Sequence, residues 1–146
     1  MPTAGRLAAA LTFFIYGWYV GIIAGPFFPE GNPPNYVIPL SIGLAILVGW
    51  TVVGGRLGNG YFGALGHGLT GAFAYGFWTI FIISFINMIR KSLRRLYDGP
   101  MDAVVDVFDL MMRAARDFFD INLILTVTLG GMLCACIGEY FARRYP

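Results

Sequence analysis

Four cationic side chains within residues 90–95 are the best candidates in this sequence for binding an anion. They are Arg90, Lys91, Arg94 and Arg95. Guanidinium and ammonium groups bind oxyanions, and basic clusters beside a membrane bind anionic lipid headgroups. Such a cluster also anchors the topology of a membrane protein through the positive-inside rule. The sequence therefore predicts a lipid or oxyanion contact here, with a purely topological anchor as the simpler alternative.

Other chemically active side chains are scarce. Cys134 and Cys136 are two residues apart, and a helix points such residues about 200° apart, so they are expected to be packing residues, with a redox or metal role as the alternative. His67 is the single histidine, and Glu139 lies one helical turn before Arg143, which predicts an i, i+4 ion pair. We find no nucleophile–base pair and no metal-ligand spacing. The sequence thus predicts no catalytic residue, no cofactor, no metal and no enzyme.

Four long uncharged runs must position these residues: 7–29, 31–55, 57–89 with His67 neutral, and 121–138. Crossing a bilayer core of ~30 Å takes about 20 apolar helical residues. Charged residues are only 12% of the chain, against about 25% in soluble domains. We therefore predict one membrane domain, 1–146, with transmembrane helices near 6–25, 36–53, 64–89 and 122–141. The net charge of +2 gives no reason to expect nucleic acid.

The segment 100–120 has a different pattern, that of an amphipathic helix. Its seven charged residues recur at helical spacing on one side, and apolar residues that include Phe108, Met111 and Met112 occupy the other. Seven charges exclude a transmembrane helix, so this helix should lie at the membrane interface or dock on a partner. The predicted fold is therefore all-α and polytopic, with four transmembrane helices and one amphipathic interfacial helix between spans three and four.

Small residues at four-residue spacing predict how the spans pack. Gly17, Gly21 and Gly25 form such a stripe on the first span, and small residues let membrane helices approach closely. The stripe serves either packing inside the chain or contact with a partner, as do Phe108, Met111 and Met112. Residues 26–35, rich in proline, and residues 54–60, rich in glycine, are expected to be loops or turns.

Several short segments resemble those of a known family. They are MPTAGRLAAA at the start, FPEG at 28–31, GWTVVGGR at 49–56, SLRRLYDGP at 92–100 and ARR at 142–144. Nearly end to end, the chain resembles the TrgA family of small membrane proteins of alphaproteobacteria. The resemblance implies an association with tellurite resistance and a multi-pass protein of the bacterial inner membrane. It implies no catalytic residues.

Two functional hypotheses follow. Since tellurite is reduced through membrane electron-transfer machinery, the resistance phenotype can arise indirectly. The first hypothesis is a non-catalytic accessory or stabilising subunit of a larger respiratory or photosynthetic electron-transfer complex. Its partners would be membrane lipids and other membrane protein subunits. The alternative is a self-contained tellurite-resistance protein that acts on oxyanion handling or reduction through the basic cluster or the cysteines.

Overall fold

The structure, a computed structural model, describes residues 3–28, 34–95 and 97–145. Its helices are α1 (Thr3–Ile23), α2 (Val37–Val48), α3 (Tyr61–Leu93), α4 (Pro100–Asp117) and α5 (Ile121–Arg144). A short 3₁₀ turn follows α1, and α2 continues through a π-turn and a 3₁₀ turn to Arg56. The described part of the chain contains no strand.

Four of these helices are long and apolar enough to cross a membrane: α1, α3, α5, and α2 together with its continuation to Arg56. This confirms the predicted all-α fold with four apolar helices. Each helix starts and ends within a few residues of its predicted span, although α3 is longer, with 33 residues. Residues 29–33 of the predicted first loop lie outside the described residues.

The helices approach one another at glycines. A Cβ atom on Gly68 of α3 would lie 2.7 Å from the carbonyl oxygen of Gly131 and 2.8 Å from the Cα of Met132, both on α5. A Cβ atom on Gly17 of α1 would lie 2.5 Å from the Cβ of Ala45 on α2. Such contacts bring backbone against backbone, which is how membrane helices gain dispersion energy without a hydrophobic driving force.

Buried hydroxyl groups link the helices across these contacts. Ser41 of α2 donates a hydrogen bond of 2.7 Å to the carbonyl oxygen of Gly17. Because Ser41 has one hydroxyl proton, Tyr75 of α3 must donate the bond that joins their two hydroxyl groups. Tyr16 of α1 donates to the carbonyl oxygen of Val127 on α5 at 2.9 Å. Each of these three hydroxyl groups therefore donates its proton to a neighbouring helix.

The C-terminal part of α3 extends beyond the other apolar helices. α3 and α5 are antiparallel, since Arg143 near the end of α5 lies over the ring of Tyr61 at the start of α3. Gly131 lies about 10 residues after the start of α5, so that start is level with the residue of α3 about 10 positions after Gly68. About 15 residues of α3 remain beyond that level, which is about 22 Å of helix. α4 doubles back along this extension, so that Asp106 meets Lys91. The two helices form a hairpin, here called the α3–α4 hairpin.

Two glycines of α3 provide a matched test of this packing. We expect Gly68→Ala to lower the free energy of unfolding by about 1–3 kcal/mol, because its methyl group collides with the α5 backbone. Gly66→Ala should leave stability unchanged or raise it by up to about 1 kcal/mol, since its Cβ would meet no atom within 4 Å. Reversible unfolding in detergent measures both variants. Equal stability of the two would contradict the close approach of α3 and α5.

Candidate functional site

The basic cluster lies on the α3–α4 hairpin. The Arg90 guanidinium lies 4.6 Å from the centroid of the Tyr36 ring, at the start of α2. Lys91 Nζ lies 3.0 Å from Oδ2 of Asp106 on α4. Arg94 follows the last residue of α3, and both Arg94 and Arg95 are exposed. The structure thus brings Arg90, Lys91 and Arg94 to one cavity and leaves Arg95 outside its lining.

This basic cavity has a volume of about 300 Å³. It is lined by Asn87, Arg90, Lys91, Arg94 and Leu110. Asp106 neutralises Lys91, so Arg90 and Arg94 supply the remaining positive charge. Neither arginine forms an ion pair with another described residue. An anion that enters this cavity would therefore meet two guanidinium groups.

Asp106 joins the two helices of the hairpin. It accepts hydrogen bonds from Lys91 at 3.0 Å and from the Tyr97 hydroxyl. The bond from Tyr97, and then the bond and charge of Lys91, hold the pKa of Asp106 below its ordinary value of 3.8, although burial opposes them. Burial and the bond to Asp106 raise the pKa of Tyr97 to about 12. At neutral pH the carboxylate is thus ionised and the phenol is protonated.

A second, apolar cavity of about 400 Å³ lies next along the hairpin, where α4 ends beside the four apolar helices. Every apolar helix and the end of α4 contribute to its wall. Representative lining residues are Val20, Val37, Gly76, Ile83, Phe118 and Leu123. We did not predict this cavity from the sequence. Gly76 lies in its wall, and a Cβ atom there would meet nothing within 4 Å.

The opposite end of the bundle is closed by Glu139. Its carboxylate is fully buried and accepts bonds from the backbone N–H groups of Gly58 at 2.6 Å and Gly60 at 2.9 Å. The backbone φ angles of Gly58 and Gly60 are +106° and +108°, values that residues with a side chain rarely adopt. Arg143 Nε completes the site at 3.1 Å, as the predicted i, i+4 ion pair. Glu139 therefore fixes the turn between α2 and α3 onto α5.

The remaining candidate residues are not assembled into a reactive site. Cys134 and Cys136 are free thiols, and Cys134 donates a weak bond to the carbonyl oxygen of Thr12 on α1 at 3.6 Å. His67 is half-buried on α3. Within residues 3–28, 34–95 and 97–145, no group of three or more histidine, cysteine or acidic side chains is placed to hold a metal ion.

The residues predicted for helix packing or partner contact divide into two groups. Gly17, Gly21 and Gly25 are buried, and a Cβ on Gly17 or Gly21 would touch α2 within the same chain. That face of α1 is therefore occupied by internal packing. Phe108 and Met112 are largely exposed on α4, at 64% and 65%, whereas Met111 between them in sequence is half-buried.

Comparisons with protein-family models, curated proteins and solved structures find no match to this chain. The site must therefore be interpreted from its own geometry.

Removing the Glu139 carboxylate should destabilise the bundle. We expect Glu139→Ala to cost about 3 kcal/mol of unfolding free energy, because the N–H groups of Gly58 and Gly60 lose a charged, buried acceptor. Glu139→Gln keeps an acceptor oxygen and should cost less. The control is Asp109→Ala, which breaks an exposed i, i+4 pair with Arg113 and should cost about 0.5 kcal/mol or less. Equal losses for Glu139→Ala and Asp109→Ala would contradict the structural role of Glu139.

Acid should loosen the α3–α4 hairpin. Because the folded-state pKa of Asp106 is depressed, its stabilisation is present above pH 3.8 and is lost as the pH falls through the lower folded-state value. Hydrogen exchange in α4, corrected for intrinsic rates, should therefore accelerate as the pH falls below about 4. Asp106→Asn should remove this change, whereas Asp109→Asn should keep it. An unchanged exchange profile in the wild type would contradict the role given to Asp106.

Proposed function

We propose that this chain is a small, non-catalytic protein of the bacterial inner membrane that acts as an accessory or stabilising subunit of a larger electron-transfer complex. The observation that carries the proposal is an exposed apolar stripe on α4, here called the α4 stripe. It consists of Met101, Val104, Val105, Phe108 and Met112, each more than half exposed.

The α4 stripe is distinct from the face that α4 uses inside the chain. Val107 is buried, and Leu110 lines the basic cavity against α3. The stripe runs beside that face at spacings of three, one, three and four residues, so it forms one continuous strip along the helix. Apolar strips of this kind, rimmed by polar residues, are typical of membrane or protein contacts.

The rim of the stripe supports a protein partner beside the membrane. Exposed charges of both signs flank it, including Asp102, Asp109 and Arg113. Helices that bind anionic lipid surfaces carry mainly basic residues on their polar face. We therefore place α4 at the membrane interface, with the α4 stripe against a partner subunit and the flanking charges at the rim of that contact.

The rest of the chain supports a non-catalytic role. Ser41 and Tyr75 use their buried hydroxyl groups in bonds between helices, and Glu139 is used to bind the turn before α3. The electron-transfer assignment rests on the resemblance to the TrgA family, in which tellurite resistance can follow from altered electron-transfer machinery.

The alternative is a self-contained tellurite-resistance protein, and one observation favours it: the basic cavity could receive an oxyanion. Its reduction by the cysteines at the same place is less compatible with the fold. The residue after Cys134 packs against Gly68, which is 22 positions before Arg90 on α3, or about 33 Å along the helix. An oxyanion bound at Arg90 would thus be far from either thiol.

The proposal is tested by purifying the tagged chain from its native membrane in mild detergent, followed by a native gel and mass spectrometry. The wild type should co-migrate in stoichiometric amount with a large electron-transfer complex. Phe108→Gln combined with Met112→Gln should release it, because two exposed anchors of the α4 stripe are lost. The control is Phe62→Gln, a 94% exposed phenylalanine at the opposite end of α3, which should leave co-migration intact.

Migration of the wild type alone or as a small homo-oligomer would contradict the accessory role. Growth on tellurite then tests the alternative: neutral replacements of Arg90, Lys91, Arg94 and Arg95 should abolish resistance while the protein still inserts. If the complex retains the Phe108/Met112 variant, the α4 stripe is not the contact.

A further inference from the structure

The apolar cavity has the volume and the lining that suit a flexible hydrocarbon chain. Its volume of about 400 Å³ falls in the range of ligand pockets, about 300–1,000 Å³. Four hydroxyl-bearing residues line it, and three of them already donate within the protein: Ser41 to Gly17, Tyr75 to Ser41, and Thr79 to the carbonyl oxygen of Tyr75. A quinone ring needs donors for its carbonyl groups, whereas an acyl chain needs none.

The cavity is open to the surroundings of the apolar helices. Phe73 and Phe77 of α3 and Ile124 of α5 line it and are themselves exposed, at 79%, 56% and 40%. In a helix that crosses a membrane, such side chains face lipid tails. The hydrocarbon at highest local concentration beside this opening is therefore a phospholipid acyl chain.

The basic cavity follows the apolar one along the same helix face. Ile83 lines the apolar cavity and Arg90 lines the basic one. Seven residues separate them, which is within about 20° of two full helical turns and a rise of about 10 Å. The ring of Tyr36 lies next to the Arg90 guanidinium, and the following residue, Val37, lines the apolar cavity. The two cavities are therefore also adjacent at the start of α2. The glycerol backbone of a phospholipid, together with the length of an arginine side chain, can span this distance of about 10 Å between the two cavities.

We propose that these two cavities form one binding site for an anionic phospholipid, with an acyl chain in the apolar cavity and the phosphate between Arg90 and Arg94. Charge complementarity selects the headgroup, because Asp106 balances Lys91 and leaves the two arginines to pair with the phosphate. Basic pockets beside membrane helices hold lipid headgroups in this way. The site does not depend on the accessory role proposed above.

Two variants address the two halves of the site separately. Gly76→Leu fills the apolar cavity without backbone collision, since a Cβ there meets nothing within 4 Å. Its matched control is Gly66→Leu, an equally open glycine of α3 that lies outside the cavity lining. Arg90→Gln with Arg94→Gln removes the phosphate ligands. Its control is Arg56→Gln, an exposed arginine before the other end of α3.

The test is native mass spectrometry of the delipidated full chain, titrated with phosphatidylglycerol or phosphatidylcholine. The wild type should bind one phosphatidylglycerol about tenfold more tightly than phosphatidylcholine, because the choline cation of phosphatidylcholine would lie beside the two arginines. The double arginine variant should lose that preference. Gly76→Leu should weaken the binding of both lipids, and the Gly66→Leu and Arg56→Gln controls should match the wild type.

Several outcomes would overturn the proposal. Equal affinity for the two lipids would contradict the selection of an anionic headgroup, since both carry a phosphate and only phosphatidylcholine also carries a cation. If Gly76→Leu binds both lipids as tightly as the wild type does, the acyl chain does not occupy the apolar cavity. Competition by glycerol phosphate as strong as by phosphatidylglycerol would show a headgroup site without a tail. A co-purified quinone, or a lipid-free dimer disrupted by Gly76→Leu, would identify a different occupant.

Discussion

The fold depends on close backbone approach at a few glycines. Lipid tails are as apolar as leucine, so helices in a bilayer gain little by burying apolar side chains against each other. They gain dispersion energy only where their backbones come close, as at Gly68 against α5 and Gly17 against α2. The hydroxyl groups of Ser41 and Tyr16 can reach carbonyl oxygens of neighbouring helices because these helices are already close.

The two ends of the bundle differ because charge is used differently at each. At one end, Glu139 is fully buried and its carboxylate holds the turn that contains Gly58 and Gly60. At the other end, α3 extends past its neighbours and α4 doubles back along it, and two cavities lie along the hairpin so formed. The end that contains Glu139 is closed by these hydrogen bonds. The end that contains the α3–α4 hairpin has two cavities and arginines that form no ion pair with another described residue, so the binding proposals concern that end.

Sequence patterns predicted the elements well and their contacts poorly. Uncharged length identified the four apolar helices, and the charge pattern of 100–120 identified α4, because both signals are local. The i, i+4 spacing likewise predicted the pair of Glu139 and Arg143. The bonds from Gly58 and Gly60 to Glu139 join residues about 80 positions apart, and no local pattern carries that information. The apolar cavity was missed for the same reason.

The sequence by itself determined that this is an all-α chain with four helices suited to a membrane, since the length and polarity of a helix follow from consecutive residues. It also located the basic cluster. Only the tertiary structure decided which faces meet: that Gly17 packs inside the chain, that Asp106 neutralises Lys91, and that Arg90 and Arg94 remain beside a cavity. Those outcomes depend on the relative positions of helices distant in sequence, which steric fit between their surfaces selects.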